Sequence, residues 1–171
     1  EGLAEVRVSV NISAQQLRQG SLVRQVLDET GLPARLLELE LTESLLLENV
    51  ESVISTFQQL RSLGIQLAID DFGTGYSSLS YLKRFPVHYV KIDQTFIRDI
   101  STNSEDAAIT RAIIAMAHGL ELKVVAEGVE TQAQMDFLKA QRCDELQGYL
   151  ISPPLPASAF AQLLREQVPE Y

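Results

Sequence analysis

The amino-acid sequence predicts an α/β protein that folds as an incomplete TIM-like (β/α) barrel, with about six of the usual eight strands. Short apolar or β-branched runs alternate with longer segments of helical periodicity, a pattern typical of parallel βα units. A polar residue lies near the C-terminal end of each run, and successive ones are 20 to 36 residues apart, about one βα unit. A complete barrel needs roughly 250 residues. One or two strands are therefore missing from the 171 residues, and because the C-terminal segment PASAFAQLLREQ predicts a closing helix, we expect them to be missing on the N-terminal side.

The six predicted strands are, in chain order, EVRVSVNI, LLELELTE, IQLAIDDF, HYVKID, LKVVAEG and DELQGYLI. Side chains alternate between the two faces of a strand, so Arg7, Ser9 and Asn11 share one face of the first strand. Val8 and Val10 lie on its other face, and the next two runs alternate in the same way. We predict that the apolar faces meet outer helices and that the polar faces line the barrel interior.

Helices are predicted between the runs from capping residues and apolar spacing. A first helix begins after an Asn49 cap, and a second spans 104–119 with Ile109 on its buried stripe. Thr131 and Gln134 form a capping-box pattern at the start of a third helix. The segment PASAFAQLLREQ predicts a closing helix.

Composition bounds the class of protein. The chain is 46% hydrophobic with a net charge of −9, which fits a single domain over 1–171 and argues against binding of nucleic-acid polymers or anionic membranes. Cys143 is the one cysteine, so an internal disulfide and a cysteine-based zinc site are excluded. No apolar run of about 18 residues predicts a membrane span.

Six polar residues at the strand ends are expected to meet at the barrel mouth, the face on which such folds place their chemistry. They are Asn11, Glu40, Asp70, Lys91, Glu127 and Gln147. Oxygen ligands suit Mg²⁺, Mn²⁺ or Ca²⁺ better than zinc, and closely packed carboxylates cannot all ionise without a cation. The cluster therefore predicts at least one divalent metal ion.

The adjacent Asp70 and Asp71 sharpen this prediction. Neighbouring strand residues point to different sides, so one carboxylate could bridge two metal ions while the other holds the second. Paired metals suit in-line displacement at phosphorus, and Lys91 could position water or stabilise phosphate charge. Gly73 and Gly75 are candidate hinges of the loop that follows. An enolase-type enzyme with strand-end carboxylates, Mg²⁺ and a lysine base is the alternative that the residues leave open.

Six segments in order resemble the motifs of the EAL domain family: NIS, ELTES, DDFGTGYSSL, VKID, VVAEGVET and DELQGYLISPPLP. The resemblance runs from Val6 to about Phe160. It implies a TIM-like barrel whose first strand is antiparallel, and a cytoplasmic bacterial phosphodiesterase that cleaves cyclic di-GMP to linear pGpG. The implied cofactor is Mg²⁺ or Mn²⁺ in a two-metal site, without an organic cofactor. A non-catalytic cyclic di-GMP receptor is the alternative function.

The resemblance also implies residue roles. The metal ligands would be Asn11, Glu40, Asp70, Asp71 and Glu127. Lys91 and Glu127 would be catalytic, and Asp93 and Gln147 would bind substrate. A loop that couples the site to a dimer interface would comprise Glu43, Phe72, Gly73, Thr74, Gly75, Tyr76, Ser77 and Ser78.

One departure from the family pattern affects these expectations. The Glu-Ala-Leu segment, which supplies a further metal-ligating glutamate in the family, is not among the 171 residues. We therefore expect a domain truncated at its N-terminal side, an active parent protein and an impaired isolated chain. The resemblance further implies a homodimer, with GGDEF or sensor domains in the parent and a parent that can be membrane-anchored.

Overall fold

The structure is a computed structural model that describes residues 5–19, 21–43, 50–75 and 82–167. Its centre is one six-stranded sheet in the order β1-β2-β3-β4-β5-β6, and all neighbouring strands are parallel. The strands are β1 Val8–Asn11, β2 Leu37–Thr42, β3 Gln66–Phe72, β4 Tyr89–Ile92, β5 Lys123–Ala126 and β6 Glu145–Leu146. The sheet curls into a half-barrel, which confirms the predicted α/β class and the incomplete TIM-like barrel.

Helices connect the strands. They are α1 Ala14–Arg18, α2 Leu22–Thr30, α3 Val50–Ser62, α4 Gln94–Arg98, α5 Ser104–Gly119, α6 Gln132–Ala140 and α7 Ala157–Gln167, with a 3₁₀ turn at Ala34–Leu36. The four predicted helices correspond to α3, α5, α6 and α7. Across the described ranges, none of these helices has both the length and the apolar character needed to span a membrane.

The helix starts follow their capping residues. Thr131 and Gln134 form the predicted capping box of α6, and Asn103 caps α5 through a hydrogen bond from the Glu105 amide at 2.9 Å. The predicted burial of Ile109 is wrong, because its side chain is 39% exposed. Helix α5 instead turns Thr110, Ile113, Ile114 and Ala117 to the core, and Ile109 lies beside that stripe. The predicted Asn49 cap lies outside the described residues.

The two faces of the sheet carry different residues, as the alternation predicts. Outward-facing Leu41, Leu67 and Ile69 are fully buried in the main core against the helices. Ala68, Tyr89 and Val125 form a separate small cluster on the inner face. Strand β1 differs because it lies at the edge of the sheet, where Val8 and Val10 remain 45% exposed.

Strand β3 contains an irregularity next to β4. Ile69 pairs with Val90 and Phe72 pairs with Ile92, so two residues of β3 oppose the single Lys91 of β4. Those two residues are Asp70 and Asp71, and Asp71 has a φ of +54°. A bulge of this kind redirects side chains and ends regular alternation. It places both aspartates beside Lys91.

Candidate metal centre

Lys91 lies at the centre of the acidic residues at the carboxyl ends of the strands. Its side chain is almost fully buried, and its Nζ is 2.6 Å from Glu40 Oε1, 2.6 Å from Glu127 Oε1 and 3.6 Å from Asp70 Oδ1. Strands β2, β3 and β4 and the residue after β5 thus supply the four side chains. The convergence predicted from strand ends more than 80 residues apart is present in the fold.

Asp71 joins this group through the bulge. One carboxylate oxygen from each of Asp70, Asp71 and Glu127 lies within 4.8 Å of the other two. The expectation that the two aspartates point to different sides is therefore wrong, because the extra residue in β3 and the left-handed backbone of Asp71 interrupt the alternation. We call Glu40, Asp70, Asp71, Lys91 and Glu127 the upper cluster.

The electrostatics of the upper cluster reflect an excess of negative charge. Burial, followed by the charges of Asp70 and Asp93, raises the pKa of Asp71 above its usual value. Burial also raises the pKa of Glu127, although the hydrogen bond from Lys91 opposes that shift. Burial by itself would lower the pKa of Lys91, but its hydrogen bonds to Glu127 and Glu40 prevail and raise it. Lys91 therefore stays protonated at neutral pH.

The donor set of the upper cluster fits a divalent metal ion. Three carboxylates pair with one ammonium group, a fourth carboxylate from Asp71 lies close to Asp70 and Glu127, and neighbouring carboxylates disfavour each other's charged forms. A divalent cation would offset most of this excess, and oxygen donors are those that Mg²⁺ and Mn²⁺ prefer. The residues present fit such an ion.

Three other predicted site residues end or directly follow strands of the same sheet. Asn11 ends β1, and its Cα lies opposite that of Glu40 in the parallel register, with the side chain exposed. Gln147 follows β6, where its backbone N–H donates to Ala126 O at 2.9 Å and its backbone carbonyl accepts from Val129 N at 3.0 Å. Asp93 is buried and caps α4, accepting from the Thr95 amide and hydroxyl at 2.9 and 2.5 Å. The roles assigned to all three stay predictions.

The glycine-rich loop begins directly after Asp71 and contacts Glu43. The Gly73 amide donates to Glu43 Oε2 at 3.2 Å, and Glu43 Oε1 is buried without a hydrogen-bond partner among the described residues. A Cβ on Gly75 would lie 2.8 Å from that oxygen. Phe72 is buried, and Thr74 Oγ1 donates to the Asp71 carbonyl at 2.8 Å. The remaining loop positions of the prediction, Tyr76, Ser77 and Ser78, lie outside the described residues.

Sequence reasoning missed a second charge cluster, which lies inside the half-barrel and nearer the N-terminal ends of the strands than the upper cluster. Arg7 Nε lies 3.1 Å from Glu38 Oε2, and Arg7 Nη2 lies 2.5 Å from Glu145 Oε2. The guanidinium also hydrogen-bonds the Tyr89 hydroxyl and lies 4.3 Å from the ring centre, while Ser9 Oγ donates to Glu38 Oε1 at 2.8 Å. We call these five residues the lower cluster. The signal was present, since Glu38 precedes Glu40 by two residues on the same face.

Comparison with known proteins identifies the family of this chain. Residues 1–154 match the EAL domain, and the chain belongs to the EAL domain family. This assignment replaces the enolase-type alternative.

Three relatives place the chain within that family. It is 50% identical over 167 residues to the cyclic di-GMP phosphodiesterase NbdA of Pseudomonas aeruginosa, covering 96% of this chain and 21% of the relative. It is similar to the structure of the PaMucR phosphodiesterase in complex with c-di-GMP, with a TM-score of 0.85 and 44% identity. The match covers 90% of this chain and 64% of the PaMucR chain. A manganese/cy-diGMP complex of Klebsiella pneumoniae BlrP1 matches with a TM-score of 0.81 and 32% identity. The match covers 88% of this chain and 40% of the BlrP1 chain. The chain thus spans about a fifth of the length of NbdA.

Proposed function

We propose that this chain is the catalytic domain of a metal-dependent phosphodiesterase that hydrolyses cyclic di-GMP to linear pGpG. The observation that carries the proposal is the upper cluster, in which three carboxylates pair with one buried lysine at the mouth of a parallel half-barrel and Asp71 lies close to two of them. The relatives named above are cyclic di-GMP phosphodiesterases or were solved with that ligand, which supports the choice of substrate.

We propose Glu40, Asp70, Asp71 and Glu127, with Asn11, as the residues that would hold Mg²⁺ or Mn²⁺ in a two-metal site. When bound, such ions stabilise charge on the attacking and leaving oxygens of a phosphodiester. The excess carboxylate charge of the cluster supports metal binding, because a dianionic substrate would otherwise meet an acidic mouth.

Lys91 and Glu127 have complementary properties for the reaction. Lys91 is held protonated by two carboxylates, so it is suited to orient the attacking water and to stabilise charge on the phosphate. The raised pKa of Glu127 makes it a stronger base, able to accept a proton from that water on its carboxylate. Water adds to one phosphorus, one phosphorus–oxygen bond breaks, and the released ribose oxygen takes a proton. Gln147 and Asp93 complete the proposed substrate contacts.

The isolated chain is a separate part of this proposal. The 171 residues contain no Glu-Ala-Leu tripeptide, so they do not supply the ligand which that segment provides in the family. We propose that the parent protein hydrolyses cyclic di-GMP, whereas the 171-residue chain does so slowly or not at all. We further propose a cytoplasmic location and a homodimer. In the 171-residue chain, the exposed edge of β1 supports pairing of two copies, which sedimentation of that chain would test.

The test measures pGpG released from cyclic di-GMP by the parent protein with Mn²⁺ or Mg²⁺. Asp70→Asn should lower the rate about a hundredfold or more, because it removes charge at the point where transition-state charge is stabilised. Asp136→Asn is the matched control, since Asp136 is exposed on α6 and contacts Gln132 of the same helix at 2.7 Å. EDTA should abolish turnover and weaken cyclic di-GMP binding together. Tight binding in EDTA with no turnover in any metal would instead assign a receptor.

A further inference from the structure

Gln134 is a buried side chain whose contacts reach beyond the helix that it begins. It is 4% exposed and occupies the third position of α6. Its Oε1 accepts from the amides of Glu130 and Thr131 at 2.7 and 2.8 Å, and its Nε2 donates to the carbonyl of Arg98 at 3.0 Å. A buried amide needs such partners, and here both its acceptor and its donor groups have them.

Another capping box, at the start of α1, provides a comparison. In α1, Gln16 Oε1 accepts from the amide and the hydroxyl of Ser13 at 3.0 Å each. Gln16 is exposed, and the hydrogen bonds that its side chain forms with described residues lie within that cap. Helix capping therefore requires neither the burial of Gln134 nor its contact with Arg98, 36 residues away in the chain. These two features need another explanation.

The partners of Gln134 belong to two segments that carry the upper cluster. Glu130 and Thr131 end the loop that follows β5 and begins with Glu127. Arg98 ends α4, the helix that directly follows the strand bearing Lys91. The single hydrogen bond from Gln134 to Arg98 thus connects the chain segments that supply the two members of the Lys91–Glu127 ion pair.

The 127–131 loop is closely packed along its length. The hydrogen bond from Gln134 to Arg98 can therefore affect the position of the whole loop. A Cβ on Gly128 would lie 2.6 Å from the Cβ of Gln94 in α4. On the other side, a Cβ on Gly148 would lie 2.2 Å from the carbonyl oxygen of Val129. The loop is therefore confined between α4 and the segment after β6, and Gln134 fixes its far end to α4.

We propose that Gln134 is a positioning residue for Glu127: its hydrogen bond to Arg98 holds the loop after β5 against α4 and thereby sets Glu127 relative to Lys91. The proposal rests on the proposed function for its kinetic readout. Its structural readout, the rigidity of the 127–131 loop, is independent of activity.

The test compares Gln134→Glu with Thr131→Ala. Glutamate keeps the oxygen that accepts from Glu130 and Thr131 but loses the donor to Arg98, so capping is retained and the connection is lost. Thr131→Ala does the reverse, since it removes the other half of the capping box and leaves the Arg98 contact. Gln16→Glu is a second control at a cap with no outside contact.

Hydrogen exchange of the full 171-residue chain is the first readout. In Gln134→Glu, exchange across 127–131 should rise severalfold while α6 stays protected, and in Thr131→Ala only the first turn of α6 should exchange faster. The second readout is the kinetics of the parent protein. Gln134→Glu should lower kcat about tenfold with KM changed less than about twofold, as is usual when a group supporting a site residue is lost. The kcat and KM of Thr131→Ala and Gln16→Glu should equal those of the wild-type parent.

Equal loop exchange in Gln134→Glu and wild type, or an effect that Thr131→Ala reproduces, would overturn the proposal and leave Gln134 as a helix cap. If Gln134→Glu loses the protection of α6 as well, Gln134→Met is compared with Thr131→Ala: each removes one half of the capping box, but only Gln134→Met also removes the donor to Arg98 without adding a charge, so faster exchange at 127–129 in Gln134→Met alone supports the connection and equal exchange overturns it. Absence of hydrolysis in the wild-type parent would contradict the proposed function alone, because the exchange comparison still decides the role of Gln134.

Discussion

The half-barrel contains two charge clusters on the same inner face, and their charge balance differs. In the lower cluster, Arg7 lies between Glu38 and Glu145, and Lys123 lies 5.7 Å from the centre of the Tyr89 ring. Each of the two carboxylates thus forms an ion pair with Arg7, whereas Lys123 is exposed and is not a member of the cluster. In the upper cluster, one ammonium group pairs with three carboxylates, and Asp71 adds a fourth close to Asp70 and Glu127.

This difference separates a structural cluster from a binding site. A group whose carboxylates are all paired with a cation satisfies its own members, and it needs no ligand. A group with a larger excess of charge of one sign is unfavourable by itself and becomes favourable when an ion of opposite sign binds. The comparison therefore supports a structural role for the lower cluster and the proposal that the upper cluster binds a metal ion.

The largest expected effect on folding comes from the lower cluster. Arg7→Met should lower the free energy of unfolding by about 3 kcal/mol, because it leaves the buried carboxylate of Glu38 without a cation. Burial already raises the pKa of Glu38 despite Ser9 and Arg7, and losing Arg7 would raise it further. Urea unfolding measures the change.

Arg35→Met is the matched control for Arg7→Met. Arg35 forms a 2.7 Å ion pair with Glu5, but both side chains are 60% exposed, so its loss should cost about 0.5 kcal/mol or less. If Arg7→Met weakened Mn²⁺ binding as strongly as it lowers stability, the division between the two clusters would be wrong.

A smaller loss of stability is expected when alanine replaces either of two glycines that share the same left-handed backbone conformation. Gly128 has a φ of +69° beside the upper cluster, and Gly31 has a φ of +67° at the end of α2. Gly31→Ala should cost about 1 kcal/mol for the left-handed backbone, since nothing lies within 4 Å of the added Cβ. Gly128→Ala should cost about 2–3 kcal/mol, because its Cβ would also meet Gln94 at 2.6 Å.

Thermal unfolding of both glycine variants, with cyclic di-GMP turnover by the parent protein, checks this pair. Turnover should fall only in Gly128→Ala, because the loop it distorts begins with Glu127. Equal losses of stability and turnover in the two variants would mean that close packing at Gly128 contributes nothing.

The smallest expected effect is a gain in stability, whereas Arg7→Met should lower stability. Asp71→Asn should raise the melting temperature of the metal-free chain by about 2 °C, because it removes a charge that the fold disfavours. The folded chain holds this proton more tightly than the unfolded chain, so the ionisation of Asp71 costs stability as pH rises above its usual pKa. The gain should therefore grow as pH rises through that range and then stay constant.

Melting of wild type and Asp71→Asn at several pH values, with and without Mn²⁺, checks this prediction. Saturating Mn²⁺ should reverse the order of the two proteins, since the wild type keeps the ligand. A lower melting temperature for the metal-free variant would contradict the reading of the upper cluster as an unbalanced site.

The sequence predicted most of the fold because its strands carry the period-two pattern of a sheet with two different faces. Each of the six runs contains a strand, although only Glu145–Leu146 of the last run is in the sheet, and the polar residues at the ends of the second to fifth runs meet, with Lys91 of the fourth at their centre. The prediction failed for Ile109, because the rotation of α5 about its axis depends on which residues the sheet can accommodate. It did not identify the lower cluster, since alternation places Arg7 and Glu38 on one face without saying which charges meet there.

The sequence alone determined the class of fold, the face that each strand turns inward, and the collection of oxygen donors at one end. Those features follow from local periodicity and from the rule that parallel strands bring their carboxyl ends together. Only the tertiary structure decided that Asp70 and Asp71 act on the same side, because the bulge that redirects them arises from the register between β3 and β4. It also decided that Gln134 reaches Arg98, because that contact depends on how two helices pack rather than on either helix.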